Sequence, residues 1–190
     1  MNFTQSLSYF PLTPERWKDV EELFGPKGAS EGCWCMYWKQ KQSEYDAKSG
    51  DENKKFFKKL VKSGKEMGLL AYDKGEAVGW CAVAPRKEYS RLARSRVLKP
   101  VDDKEVWSIV CFFIRRSHRK KGVSAGLLKA AVEFAADSGA KIVEGYPIEP
   151  KTETYPSLYA WTGFAGAFRK AGFKEVERRS PTRPIMRIEV

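Results

Sequence analysis

Nine residues, Val106–Ile114, form a nearly unbroken apolar run, and the chain turns abruptly basic immediately after them. A run of that length and composition reads as a central β-strand covered on both faces, so the fold must lay material on each side of a sheet. Beyond the basic junction, Val123, Leu127, Leu128, Ala131 and Phe134-Ala135 recur at helical spacing, and Ser138-Gly139 closes that helix. Ala140–Tyr146 is the next strand, which makes residues 106–146 a strand–turn–helix–strand unit. Repeats and low-complexity linkers are absent from the 190 residues. The expectation is a single α/β (α+β) domain over 1–190, a mixed central sheet flanked by helices.

The flanking segments supply the remaining elements. Thr13-Pro14 opens a helix through Trp17, Val20, Glu21 and Leu23-Phe24, which Gly25-Pro26 ends. Residues 25–32 form a Gly-containing loop leading into Gly32-Cys33-Trp34-Cys35-Met36-Tyr37-Trp38, the densest aromatic and sulfur cluster in the chain. A helix over about 51–63 places Phe56, Phe57, Leu60 and Val61 on one face. Met67–Tyr72 and Ala77–Ala84 read as strands joined by the hairpin Asp73-Lys74-Gly75-Glu76. Glu88–Arg96 is a short helix or an ordered loop, and Pro147–Thr162 is a looser stretch. A helix over Phe164–Ala171, stopped by Gly172, precedes closing strands at Phe173–Arg178 and Ile185–Val190.

Charge narrows the ligand. The formal net charge is +11, and Pro85–Lys121 alone holds 12 Lys/Arg against 4 Asp/Glu. Within it, Arg115-Arg116-Ser117-His118-Arg119-Lys120-Lys121 carries five formal positive charges and no acid. It runs into a helix start of small residues, Gly122-Val123-Ser124-Ala125-Gly126, where bare amides and the helix dipole favour an anion. A phosphate-bearing ligand follows, either a nucleotide-type cofactor or nucleic acid, though no groove-reading motif accompanies the charge. No apolar run reaches a membrane span, and Met1–Ser6 does not read as a signal peptide, so a cytoplasmic location is expected. Cys33-Trp34-Cys35 lacks the four suitably spaced ligands of a zinc site, and a disulfide framework does not suit such a chain; no metal is expected. Cys81 and Cys111 read as buried packing residues.

Ile114-Arg-Arg-Ser-His-Arg119-Lys-Lys-Gly122-Val-Ser124-Ala-Gly126-Leu-Leu resembles the acetyl-CoA-binding signature of the GNAT superfamily of N-acetyltransferases, Arg/Gln-x-x-Gly-x-Gly/Ala after a strand. Arg119, Gly122 and Ser124 fall on its defining positions, serine being a mild departure. Phe168-Arg-Lys-Ala171-Gly172-Phe173 looks like the family's late helix ending in Gly-Phe. The order of elements follows the family's layout from about residue 12 to the C-terminus. Gly32–Trp38 and Ser180–Arg187 look like a subgroup of bacterial members.

The resemblance implies an acetyl-CoA-dependent N-acetyltransferase in which an amine attacks directly in a ternary complex. The diphosphate would lie on the amides of Lys120, Lys121, Gly122, Val123, Ser124, Ala125 and Gly126, neutralised by Arg119, Lys120 and Lys121. Pantetheine would run along Phe112-Phe113-Ile114, with the Phe112 or Phe113 N–H polarising the thioester carbonyl. Glu144 is the preferred general base, with Glu105 as the other carboxylate near the unit and an internal ion pair as Glu144's other reading. Phe168, counted with the cofactor-binding residues, replaces the tyrosine that many members use as acid, leaving Tyr155, Tyr159 or solvent to protonate the leaving sulfur. Trp34, Tyr37 and Trp38 are expected to wall the acceptor pocket, whereas Trp80 and Trp107 read as core. The expected partner is a small-molecule or peptide amine, with neither membrane nor nucleic acid and with a homodimer left open. The alternatives are a non-catalytic CoA or acyl-CoA sensor of the same fold and a basic nucleic-acid-binding domain.

Overall fold

The computed structural model describes residues 7–48, 50–152, 155–156 and 159–190; the N-terminal hexapeptide read above as no signal peptide lies outside them. Seven strands build one sheet: β1 (Ser8–Pro11), β2 (Leu69–Asp73), β3 (Glu76–Pro85), β4 (Trp107–Ile114), β5 (Ile142–Gly145), β6 (Lys174–Arg178) and β7 (Pro184–Glu189). Their order is β1-β2-β3-β4-β5-β7-β6, with β4 and β5 parallel and the other pairs antiparallel.

The helices are α1 (Trp17–Phe24), α2 (Gln42–Ala47), α3 (Asp51–Lys62), α4 (Ser90–Arg94), α5 (Val123–Asp137) and α6 (Ala165–Lys170). Alternation, reset by a bulge in the β2–β3 pairing and another in the β3–β4 pairing, sorts the side chains between two cores. One face holds Leu70, Trp80, Ala82 and Val110 against Val20, Phe24, Trp34 and Phe57 of α1, α3 and the loop between them. The other holds Val78, Val83, Ile109 and Val143 under Val123, Leu127, Leu128 and Ala131 of α5, with Phe168 of α6. The apolar stripe read from residues 123–135 is therefore the stripe that α5 buries.

Two elements were not anticipated. β1 is short and largely exposed, with no apolar alternation to announce it, and α2 is a six-residue polar helix with no buried residue. The expectation that β4 is covered along its whole length also needs correction. Trp107–Val110 are buried, but Cys111–Ile114 are only half-buried. Pairing with β5 runs from Trp107↔Val143 to Ile109↔Gly145 and stops, while β4 continues for five more residues. The sheet parts there. This opening lies at the end of β4 from which residues 115–122 lead into α5.

Candidate active site

The opening is defined by backbone. Arg115 N–H donates to Val78 C=O on β3, so strand alternation turns Phe113 toward β3 and Phe112 toward the gap. Of the two expected carbonyl-polarising amides, Phe112's is therefore the one presented to the opening. It donates to the Trp161 carbonyl at 2.6 Å. Two neighbouring groups on the same edge are held by side chains: Trp38 Nε1 donates to Val110 C=O at 3.1 Å, and Arg119 Nε donates to Ile114 C=O at 3.1 Å. The Phe112 ring meets Phe168 edge-on at 6.3 Å, and Phe113 packs into the opposite core against Phe24 at 5.6 Å.

The basic junction folds as one 3-10 turn, Arg116–His118, followed by a sharp reversal. Lys120 and Gly122 both adopt positive φ, 60° and 82°. Gly122 is left-handed at the N-cap of α5, and no heavy atom lies within 4 Å of where its Cβ would stand. The first backbone bond into the helix is Gly126 N–H to Gly122 C=O. The amides of Val123, Ser124 and Ala125 precede it and have no intrahelical acceptor. Arg119, Lys120, Lys121, Gly122 and Ala125 are exposed around them. Not every side chain of the junction is available: Arg115 pairs with Glu76, and His118 Nε2 lies 3.1 Å from Asp73 Oδ2, tying the junction to the β2–β3 hairpin.

Gly126 departs from its expected place among the anion-binding amides. Its N–H is spent inside the helix, and a Cβ there would overlap the Tyr9 hydroxyl of β1. Packing explains that glycine. Val123 contributes an amide only, since its side chain is buried in the core.

Glu144 departs more sharply. Its side chain is fully buried. Oε1 accepts from Arg86 Nη1 at 2.8 Å and from Tyr146 Oη at 2.5 Å, and Oε2 accepts from Arg187 Nε at 2.7 Å. Arg187 continues to Asp102, and Tyr146 shares a hydrogen bond with Ser108. Burial, reinforced by the neighbouring carboxylate, pushes the Tyr146 hydroxyl well above its ordinary pKa. Glu144 is thus an internal counter-ion to two guanidinium groups, contrary to the expectation of a general base. Glu105 is exposed just before β4, at the end of that strand opposite the opening.

The aromatic cluster divides. Trp34 and Cys35 have positive φ (45° and 56°), and the reversal sends Trp34 inward. Trp34 is 3% exposed and stacks on Trp17 at 6.2 Å, so it belongs to the core and not to an acceptor wall. Tyr37 and Trp38 do reach the opening, each beside Trp161 with ring centroids 5.3 and 5.5 Å away. Trp80 and Trp107 are buried, as expected of core. Cys35 Sγ lies 3.8 Å from Cys111 Sγ and accepts from Trp80 Nε1 at 2.9 Å. Tyr155 stands edge-on to Phe164, and Tyr159 is 58% exposed to solvent. Phe168 is buried against Phe112 and Phe173, and a Cβ on Gly145 would strike its ring.

The parallel pair β4–β5 thus parts beside a helix start whose first amides have no internal acceptor, an arrangement suited to an anionic ligand. Residues 30–154 match the model of the acetyltransferase (GNAT) family, and this chain belongs to that family. Searching the curated proteins gives no match. Among solved structures, the fold is similar to a PaiA N-acetyltransferase from Thermoplasma acidophilum in complex with coenzyme A, with 13% identity, a TM-score of 0.54 and coverage of 97% of this chain and 99% of that one. It is also similar to an aminoglycoside N-acetyltransferase in complex with CoA, with 14% identity, a TM-score of 0.55 and 95% of both chains covered. A GNAT-family acetyltransferase from Listeria monocytogenes gives 10% identity, a TM-score of 0.56 and coverage of 97% of this chain and 95% of that one. Among the described residues, no helix is long and apolar enough to cross a membrane.

Proposed function

We propose that this chain, acting as one domain over 1–190, is an acetyl-CoA-dependent N-acetyltransferase that acetylates a primary amine of a small molecule or peptide in the cytoplasm. The observation that carries the reading is the continuity of two features. The unpaired end of β4 leads within a few residues to a helix start whose amides have no internal acceptor and whose N-cap leaves space for a ligand. The residues present fit the cosubstrate, and acetyl-CoA would supply an activated thioester at the opening. Val123, Ser124 and Ala125 amides would hold the diphosphate, with Arg119, Lys120 and Lys121 neutralising it.

Phe112 N–H would exchange the Trp161 carbonyl for the thioester carbonyl and stabilise charge developing on that oxygen. The remaining catalysis is positioning of the amine by Tyr37, Trp38 and their neighbours, which hold it close without a covalent intermediate. With Glu144 engaged internally, deprotonation of the amine falls to solvent, and a departing thiolate needs no strong acid. Isothermal titration with acetyl-CoA, followed by an amine panel assayed for release of free thiol, tests the reading. Saturable binding with turnover on at least one amine is expected. Failure to bind acetyl-CoA would refute it, and binding without turnover on any amine would favour a sensor.

A further inference from the structure

Arg183 lies in the turn leading into β7, beside the C-terminal end of β5, where the sheet parts. Its Nη1 donates to Thr162 Oγ1 at 3.0 Å. Thr162 is fully buried and directly follows Trp161, whose carbonyl occupies the Phe112 amide. The guanidinium therefore stands one residue removed from the expected point of acyl transfer. Its electrostatic neighbours are the hydroxyls of Tyr37 and Tyr155. Tyr37 in turn lines the opening together with Trp38 and Trp161.

The contrast with other arginines of the sheet is informative. Arg86, Arg178, Arg179 and Arg187 each pair with a carboxylate. Arg183 is half-buried, yet no described Asp or Glu lies within ion-pair distance of it, and its Nε–Nη2 edge has no acceptor among the described residues. Burial lowers its pKa from the ordinary guanidinium value, with only the two tyrosines opposing. A partly desolvated guanidinium fork with no anion among the described residues is matched in geometry and charge by a carboxylate.

We propose that Arg183 receives a carboxylate of the acceptor, so that the substrate class is an amine that also bears a carboxylate, of the apolar amino-acid kind, with its apolar part against Tyr37, Trp38 and Trp161. The inference rests on the N-acetyltransferase reading given above. Arg183 is a specificity-determining residue in this scheme: it anchors one end of the acceptor while the amine faces the thioester.

The test compares phenylalanine, leucine and methionine with their carboxamides, following thiol release from acetyl-CoA. A charge-assisted pair should give the acids roughly a 10- to 100-fold advantage in kcat/KM, expressed mainly in KM. The comparison is stringent, because removing the carboxylate lowers the amine's own pKa and by itself favours the amide. Arg183→Gln should collapse the acid-to-amide ratio, and Arg183→Lys should retain part of it. A purely structural role would lower both substrates together and leave the ratio unchanged. Titration of the N-acetylated acids and amides into the enzyme–CoA complex reads the same preference without turnover. Wild-type protein that binds acetyl-CoA but treats acids and amides alike, or an Arg183→Gln variant that keeps the preference, would overturn this inference alone. Loss of acetyl-CoA binding in the wild type would instead overturn the parent reading and this one with it.

Discussion

Replacing Gly122 by alanine separates what the turn requires for its own conformation from what it requires for an anion. Gly122 has φ 82° and ψ −3°, and the space where a Cβ would stand is open. Alanine there meets only the strain of the left-handed region, about 1–2 kcal/mol, and no steric clash within the protein. In a chain of this size that strain lowers Tm by roughly 2–8 °C. Gly139, at the opposite end of α5, has φ 90° and the same open space, so Gly139→Ala carries a matched penalty. Only the methyl at 122 enters the cradle formed by the first amides of α5. Losing one amide–phosphate hydrogen bond, worth about 1.5–3 kcal/mol, weakens acetyl-CoA by roughly 10- to 100-fold. Thermal unfolding and isothermal titration on both variants make the assay. The expected pattern is similar Tm loss in both, wild-type Kd in Gly139→Ala and a raised Kd in Gly122→Ala. Equal affinities in two folded variants would refute the placement of the diphosphate.

Two other outcomes follow from buried charge. Glu144→Gln removes the anion shared by Arg86 and Arg187 and should cost about 3–5 kcal/mol of stability, read as a lowered urea midpoint. The pH–rate profile of the folded fraction should keep its limbs. A rate loss of roughly 10²- to 10⁴-fold without destabilisation would reinstate Glu144 as a base. Lys39, whose side chain is 5% exposed, lies 4.0 Å from Glu88, and burial lowers its pKa to about 8. Its unfolded value is about 10.4, so between these pH values the unfolded chain binds the extra proton and stability rises with pH. Relative to Lys39→Met, the wild type should gain on the order of 3 kcal/mol across that window in denaturant titrations. A difference between the two that does not change with pH would contradict the burial of a charged Lys39.

What the sequence discloses and what it hides follow from the range of the interactions. The β4–turn–α5 unit is legible because periodicity and a helix start are local, and its strand and helix lie within about one residue of their expected ends. The partners of Glu144 lie 58 and 43 residues away, so its role depends on which strands become neighbours. Trp34 and Tyr37 look equivalent as a string, but two consecutive positive-φ residues send one to the core and the other to the opening. Arg183 is one of 35 Lys/Arg, and nothing local marks it as lacking a carboxylate partner among the described residues. Trp161 falls in a stretch read only as loose, yet its carbonyl meets β4 across the fold.

That Trp161 carbonyl has an energetic consequence for the reaction. An edge amide pointing into a narrow cleft would otherwise be wetted, and a thioester arriving there would have to strip it. Here the chain keeps an oxygen on that N–H, so a thioester bound as proposed would trade one carbonyl for another at nearly constant hydrogen-bond tally. On that proposal the work of loading would shift from dehydrating the strand to displacing the segment that carries Trp161. How readily that segment yields would then set how fast the cleft is charged.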